Sequence, residues 1–120
     1  MTICMTTTGR DLDAPIDPRF GRARYFLFVD PETQAVEAVE NQPGAHGAGV
    51  QATQVLADRG VTALLTGAVG PNAFDGLSAA GIDIYTARGG SARDALSAYQ
   101  AGRLERIGSP TASGHRGGGR

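Results

Sequence analysis

Two apolar runs constrain this chain more than any other feature. Tyr25–Asp30 (Tyr-Phe-Leu-Phe-Val-Asp) is continuously apolar up to its last residue, and Val61–Thr66 (Val-Thr-Ala-Leu-Leu-Thr), apolar but for its threonines, reads as a second buried strand. Short runs of this kind, without polar alternation, are strands covered on both faces. The sheet that holds them therefore needs cover on two sides.

The rest of the chain supplies that cover in a regular order. Thr2–Thr8 is β-branched, ends at Gly9 and predicts a first strand. Pro31–Gln34 is a turn, and Ala35–Asn41 is a third strand hairpinned to the Tyr25–Asp30 run. Val36 and Val39 break strict alternation there, which predicts a bulge or an edge position. From Ala48 the period becomes helical: Ala48, Ala52, Val55 and Leu56 share one face, and Gln51, Gln54 and Asp58 the other. Gly60 is placed to stop that helix. The Gly67–Asn72 loop leads to a second helix, with Ala73, Phe74, Leu77 and Ala80 inward, ending at Gly81. Ile82–Thr86 is a fifth strand. After Gly89-Gly90, Ser91-Ala-Arg-Asp94 reads as a capping box opening a third helix, with Ala92, Ala95, Leu96 and Tyr99 buried and Gly102 at its end.

This order, three strands followed by alternating helix and strand, is α/β. Right-handed crossovers and two antiparallel turns predict a three-layer, five-stranded mixed sheet with three helices. The expected spatial order is 3-2-1-4-5 with the second strand antiparallel, as in ribonuclease-H-like folds.

Composition narrows the function. The 120 residues suit one domain whose core is aliphatic, since aromatics are 6% and Trp is absent. A net charge of −1 argues against a nucleic-acid partner. No apolar run reaches membrane length and no leader pattern is seen, so a cytoplasmic protein without a membrane partner is expected. Cys4 is the single cysteine and reads as a small buried hydrophobe, with no disulfide to form. Residues 1–107 are expected to form the functional domain, and 108–120, rich in Gly and Arg and containing His115, a disordered tail.

The chemistry concentrates in Asp17–Arg24 (Asp-Pro-Arg-Phe-Gly-Arg-Ala-Arg). Arg19, Arg22 and Arg24 fall within six residues, after a proline-fixed turn and around Gly21. Guanidiniums stay charged and offer forked donors that suit multi-oxygen or multi-sulfur anions. Asp13 and Asp17 are close enough in sequence to neutralise two of them, so local ion pairing remains the alternative reading. The predicted topology brings the arginine loop, the His46 loop, Gly67–Asn72 and Gly89-Gly90 to one edge of the sheet, where ligands of open α/β sheets bind. Helix starts near Gly47, Asn72 and Ser91 are expected to offer free N–H groups there. These features describe an anion site.

No Gly-Lys-Ser/Thr triplet or dinucleotide fingerprint is present. The predicted core strands carry only Asp30 and Asp83 as acids, which is no nuclease cluster. Nor do His46, His115, Cys4 and the methionines form a chelating set. A bound metal would bring most of its own ligands, as a sulfide cluster does. His46, among Gly44, Gly47 and Gly49, is the one candidate direct metal ligand; a solvent-exposed loop histidine is the alternative.

Asp17–Arg22, Asn41 followed by His46-Gly-Ala-Gly-Val-Gln51, Thr66-Gly67, Gly70–Phe74 and Ala80–Tyr85 occur in an order that resembles the dinitrogenase iron–molybdenum cofactor biosynthesis family. The resemblance covers about residues 2–107. It implies a ribonuclease-H-like cofactor carrier, not an enzyme, that holds a metal–sulfur cluster. The likeness is greatest to a member holding a molybdenum–copper sulfide cluster non-covalently, so the protein is expected to be isolable as the apo form. On this reading Arg19, Arg22 and Arg24 balance the charge, Phe20 shields one face, and Gly21, Gly47, Gly49, Gly70 and Asn72 line the ligand. Some relatives carry Cys where this chain has Ala23, so no thiolate is available at that position. The competing expectation is a regulatory or adaptor domain that docks on a partner protein, of a cell-division or cofactor-assembly complex, without a cluster.

Overall fold

The protein, seen in a computed structural model that describes residues 1–41, 48–87 and 89–108, is built on one mixed sheet. Its strands are β1 (Thr2–Thr7), β2 (Tyr25–Val29), β3 (Val36–Glu40), β4 (Val61–Thr66), β5 (Asp83–Thr86) and β6 (Glu105–Arg106). The helices are α1 (Ala48–Asp58), α2 (Pro71–Ala79) and α3 (Ala92–Gln100). The sheet order is β3-β2-β1-β4-β5-β6, with β2 antiparallel to β1 and β3, and β1, β4 and β5 mutually parallel. The expected order 3-2-1-4-5 holds, but the expected count of five strands does not. The sixth strand pairs antiparallel with β5 through Tyr85↔Arg106 and Thr86↔Glu105. It is two exposed residues long, too short for any hydrophobic period to report it.

Alternation along the strands sorts the core into two halves. Cys4, Phe26, Phe28, Leu64 and Ile84 face one side and pack with Ala52 and Leu56 of α1 and Ala73 and Leu77 of α2. Ile3, Met5, Leu27, Val29, Ala63 and Leu65 face the other, beneath Ala92, Ala95 and Leu96 of α3. The two apolar runs are thus covered on both faces, as their composition requires. Where α1 crosses α2, a Cβ at Gly76 would lie 3.3 Å from the Thr53 methyl. The glycine lets the two helices approach closely. Each helix stops at a glycine in the left-handed region, Gly60, Gly81 and Gly102. β3 lies at the sheet edge, and its solvent-facing position explains the broken alternation. Helix α2 buries less than its pattern suggests, since Phe74 is half-buried and Ala80 exposed.

Candidate functional site

The site begins with the long connection from β1 to β2, which crosses the carboxyl end of the sheet. Its first part is anchored on the α3 side, where Leu12 and Ile16 are buried. Its second part is anchored on the α1/α2 side, where Phe20 and Ala23 are buried. Between these anchors Asp17 passes over the end of β1. Its backbone N–H donates to the Thr6 carbonyl at 2.8 Å, and its own carbonyl accepts from Thr6 Oγ1 at 2.8 Å. The Thr6 and Thr66 hydroxyls lie 2.7 Å apart, so the crossing is tied to both β1 and β4. Gly67 completes the fit: a Cβ there would lie 2.5 Å from Pro18 Cα. Arg19 bridges in parallel to Ala68, and the Phe20 N–H donates to the Ala68 carbonyl at 3.2 Å.

The three arginines are not equivalent. The buried Asp17 carboxylate accepts from the Arg19 backbone N–H (3.0 Å), from Nε (3.3 Å) and from Nη2 (3.4 Å). Arg19 is therefore held by local ion pairing, and part of its charge is already balanced. Asp13 instead pairs with Arg93. Arg22 and Arg24 are exposed, and among the described residues neither pairs with a carboxylate. The turn that carries them is closed by Asn41, whose Nδ2 donates to the carbonyls of Gly21 (3.1 Å) and Ala23 (2.9 Å). A depression of about 310 Å³ lies beside it, lined by Phe26, Val39, Glu40, Asn41, Gln51 and Val55. Larger hollows lie at the opposite edge of the sheet and beside β6, where Arg59 and Arg106 are each paired with a carboxylate.

Several expectations change at this level. Phe20, expected to shield one face of a ligand, is part of the core: it is 2% exposed, and its ring packs 6.1 Å from Phe26. Gly21 does not use a left-handed φ. The start of α3 offers no free N–H groups. Ala92 and Arg93 donate to the carbonyls of Ala14 and Leu12, both at 2.8 Å, and Ser91 and Asp94 cap each other. Gly90 likewise accepts from the Ile16 N–H, so the Gly89-Gly90 loop is bound to the chain itself. The start of α2 is different, since Gly70 at its N-cap provides no side chain, Pro71 follows, and Asn72 is exposed in the first turn. Gly49 falls in the first turn of α1. His46 and Gly47, and the whole of 109–120, lie outside the described residues.

The sequence reading missed Leu12, Ile16 and Ala23 as anchors, and the Asn41 contacts. The only available signal was apolar residues within an otherwise polar loop. Metal coordination is also constrained. Among the described residues no three His, Cys, Asp or Glu side chains are grouped to hold a metal ion. Cys4 lies in the core, where burial pushes its thiol pKa far up, against a smaller lowering by Arg59.

The profile of the dinitrogenase iron–molybdenum cofactor family matches residues 1–102. The chain belongs to this family. Its fold is similar to that of the apo form of the orange protein from Desulfovibrio gigas, with a TM-score of 0.89 and 43% identity over 92% of this chain and 96% of that one. It is also similar to a candidate NifB protein from Thermotoga, with a TM-score of 0.79 and 40% identity over 88% and 91% of the two chains. An uncharacterized protein of Methanocaldococcus jannaschii is 31% identical over 97 residues, 77% of this chain and 82% of its own length. No helix among the described residues is long and apolar enough to cross a membrane.

Proposed function

We propose that this member of the family is a non-enzymatic carrier, and that its cargo is a molybdenum-containing sulfide cluster of the molybdenum–copper type. The cargo is held non-covalently at the carboxyl edge of a ribonuclease-H-like sheet by residues 1–107. The observation that carries this reading is the pair Arg22 and Arg24, exposed and, among the described residues, without a carboxylate partner, on a loop anchored in both halves of the core. Family membership and the similarity to the orange protein support the choice of cargo.

The donor set fits a cluster that brings its own sulfides. The described residues offer guanidiniums and backbone N–H groups and no grouped thiolates or imidazoles. Such a set balances negative charge and donates hydrogen bonds to sulfur; it does not replace the metals' ligands. Arg22 and Arg24 supply the charge. Asn72 and the uncapped first turn of α2 supply donors. Gly70 keeps side-chain bulk away from that turn. His46 adds a single imidazole from the segment between β3 and α1.

The test is to mix purified protein with tetrathiomolybdate and copper, then follow visible absorption and bound molybdenum and copper through gel filtration. The wild type is expected to retain colour and both metals. Arg22→Ala with Arg24→Ala is expected to weaken uptake by at least about 100-fold, the loss of two charge-assisted contacts, with the thermal midpoint nearly unchanged. Arg19→Ala is the poorer test because it also strips the buried Asp17 carboxylate of side-chain donors. Full metal stoichiometry in the Arg22/Arg24 variant would falsify the central claim.

A further inference from the structure

We infer that Asn41 is the positioning residue of the arginine site, an inference that rests on the cluster reading above. Asn41 follows β3 directly, far in sequence from the arginines, yet one residue holds three carbonyls of their turn. Nδ2 donates to the oxygens of Gly21 at 3.1 Å and Ala23 at 2.9 Å, and the Asn41 backbone N–H donates to the Arg24 carbonyl at 3.0 Å. Gly21 and Ala23 are the neighbours of Arg22 on either side. A primary amide has two N–H bonds on one nitrogen, so it can engage both carbonyls at once; a hydroxyl or a carboxylate cannot.

The arrangement acts on an anion in two ways. It fixes the backbone on both sides of Arg22, so less ordering is left to be done when ligand binds. It also draws two carbonyl oxygens, the negative ends of their peptide dipoles, into hydrogen bonds within the protein. Left unpaired, those oxygens would be free to turn toward the same anion that the guanidiniums attract. Buried Phe20 and Ala23 anchor the turn's ends, but its own backbone bonding is long, the Ala23 N–H reaching the Phe20 carbonyl at 3.5 Å.

The experiment uses the full chain with Asn41→Ala and the near-isosteric Asn41→Asp, which keeps the side-chain shape and the backbone N–H but exchanges the donor for a carboxylate. Amide hydrogen exchange of the ligand-free protein should quicken at Phe20 and Ala23 in both variants, with the strands unchanged. Uptake of the cluster formed from tetrathiomolybdate and copper should fall about tenfold in Asn41→Ala, and further in Asn41→Asp because of the added charge. In the Asn41→Ala background, Arg22→Ala should cost less than it does in the wild type, since the two act through one contact. Wild-type uptake by Asn41→Ala, or a full-sized Arg22→Ala effect in that background, would overturn the inference. If Asn41→Ala fails to fold, Asn41→Asp carries the same comparison. Failure of the wild type itself to take up any cluster would instead refute the cargo assignment and the role of Asn41 toward it, while the exchange data would still report on the backbone clamp.

Discussion

At the scale of single residues, two buried polar side chains show how little of this chain's chemistry is left to its core. The Asp17 carboxylate is buried, but the backbone and guanidinium of Arg19 satisfy it, so its charge serves local architecture. Cys4 is buried, and desolvation, outweighing the opposing charge of Arg59, holds its thiol protonated. That has a consequence for alkaline stability. The folded thiol pKa is raised above the unfolded value of about 8.5, so the stabilisation is complete below that pH and is lost as pH rises. Above about pH 8.5 the unfolded state gains thiolate that the native state cannot form, at about 1.4 kcal/mol per pH unit. The unfolding free energy from urea titrations should therefore fall more between pH 7 and pH 10 in the wild type than in Cys4→Ala, by about 2 kcal/mol. Equal drops would show that the thiol titrates in the native fold.

At the scale of elements, the arginine loop is a crossover strap that owes its shape to tertiary contacts. Leu12 and Ile16 hold it on one face of the sheet, Phe20 and Ala23 on the other, and Gly67 lets Pro18 lie against the end of β4. Gly67→Ala would place a Cβ 2.7 Å from the Pro18 carbonyl oxygen, which is backbone and cannot rotate away. The expected cost is about 1–3 kcal/mol by chemical denaturation, with weakened cluster uptake as the strap lifts. An unchanged midpoint would mean that the strap moves freely on β4. The first five strands and the three helices were legible in the sequence to within a residue or two, because burial patterns along an element report it directly, whereas two-residue β6 was not. The capping box of α3 was legible for the same reason, being a local motif at fixed spacing. The strap was not. Its anchors follow no period, and the carbonyls of Leu12 and Ala14 that occupy the start of α3 come from about 80 residues earlier in the chain, which no local pattern announces.

At the scale of the whole molecule, a net charge of −1 conceals arginines in two states, paired and unpaired. Four arginines of the described residues are paired: Arg19 with Asp17, Arg59 with Glu37, Arg93 with Asp13 and Arg106 with Asp83. Arg22 and Arg24 carry no such pair and sit at the carboxyl edge; Arg10, which donates to the Tyr25 hydroxyl, and Arg103 also lack a carboxylate partner among the described residues. Composition shows the sum of these charges but not which are spent, and so the sequence located the loop without ranking its arginines. The distribution also predicts how the cargo is held. If binding is by exposed guanidiniums, it depends on ionic strength, because the screening length falls from about 30 Å at 0.01 M salt to about 3 Å at 1 M. If it is by coordination to protein ligands, sodium chloride at constant pH changes it little. Cluster affinity titrated between 0.01 and 0.5 M sodium chloride should weaken by at least about tenfold in the wild type. Residual binding by the Arg22/Arg24 double alanine variant should show a much flatter response, because the charges that sense the salt are gone. A flat wild-type titration would place the cargo on a directly coordinating side chain, and His46 would then be the residue to replace.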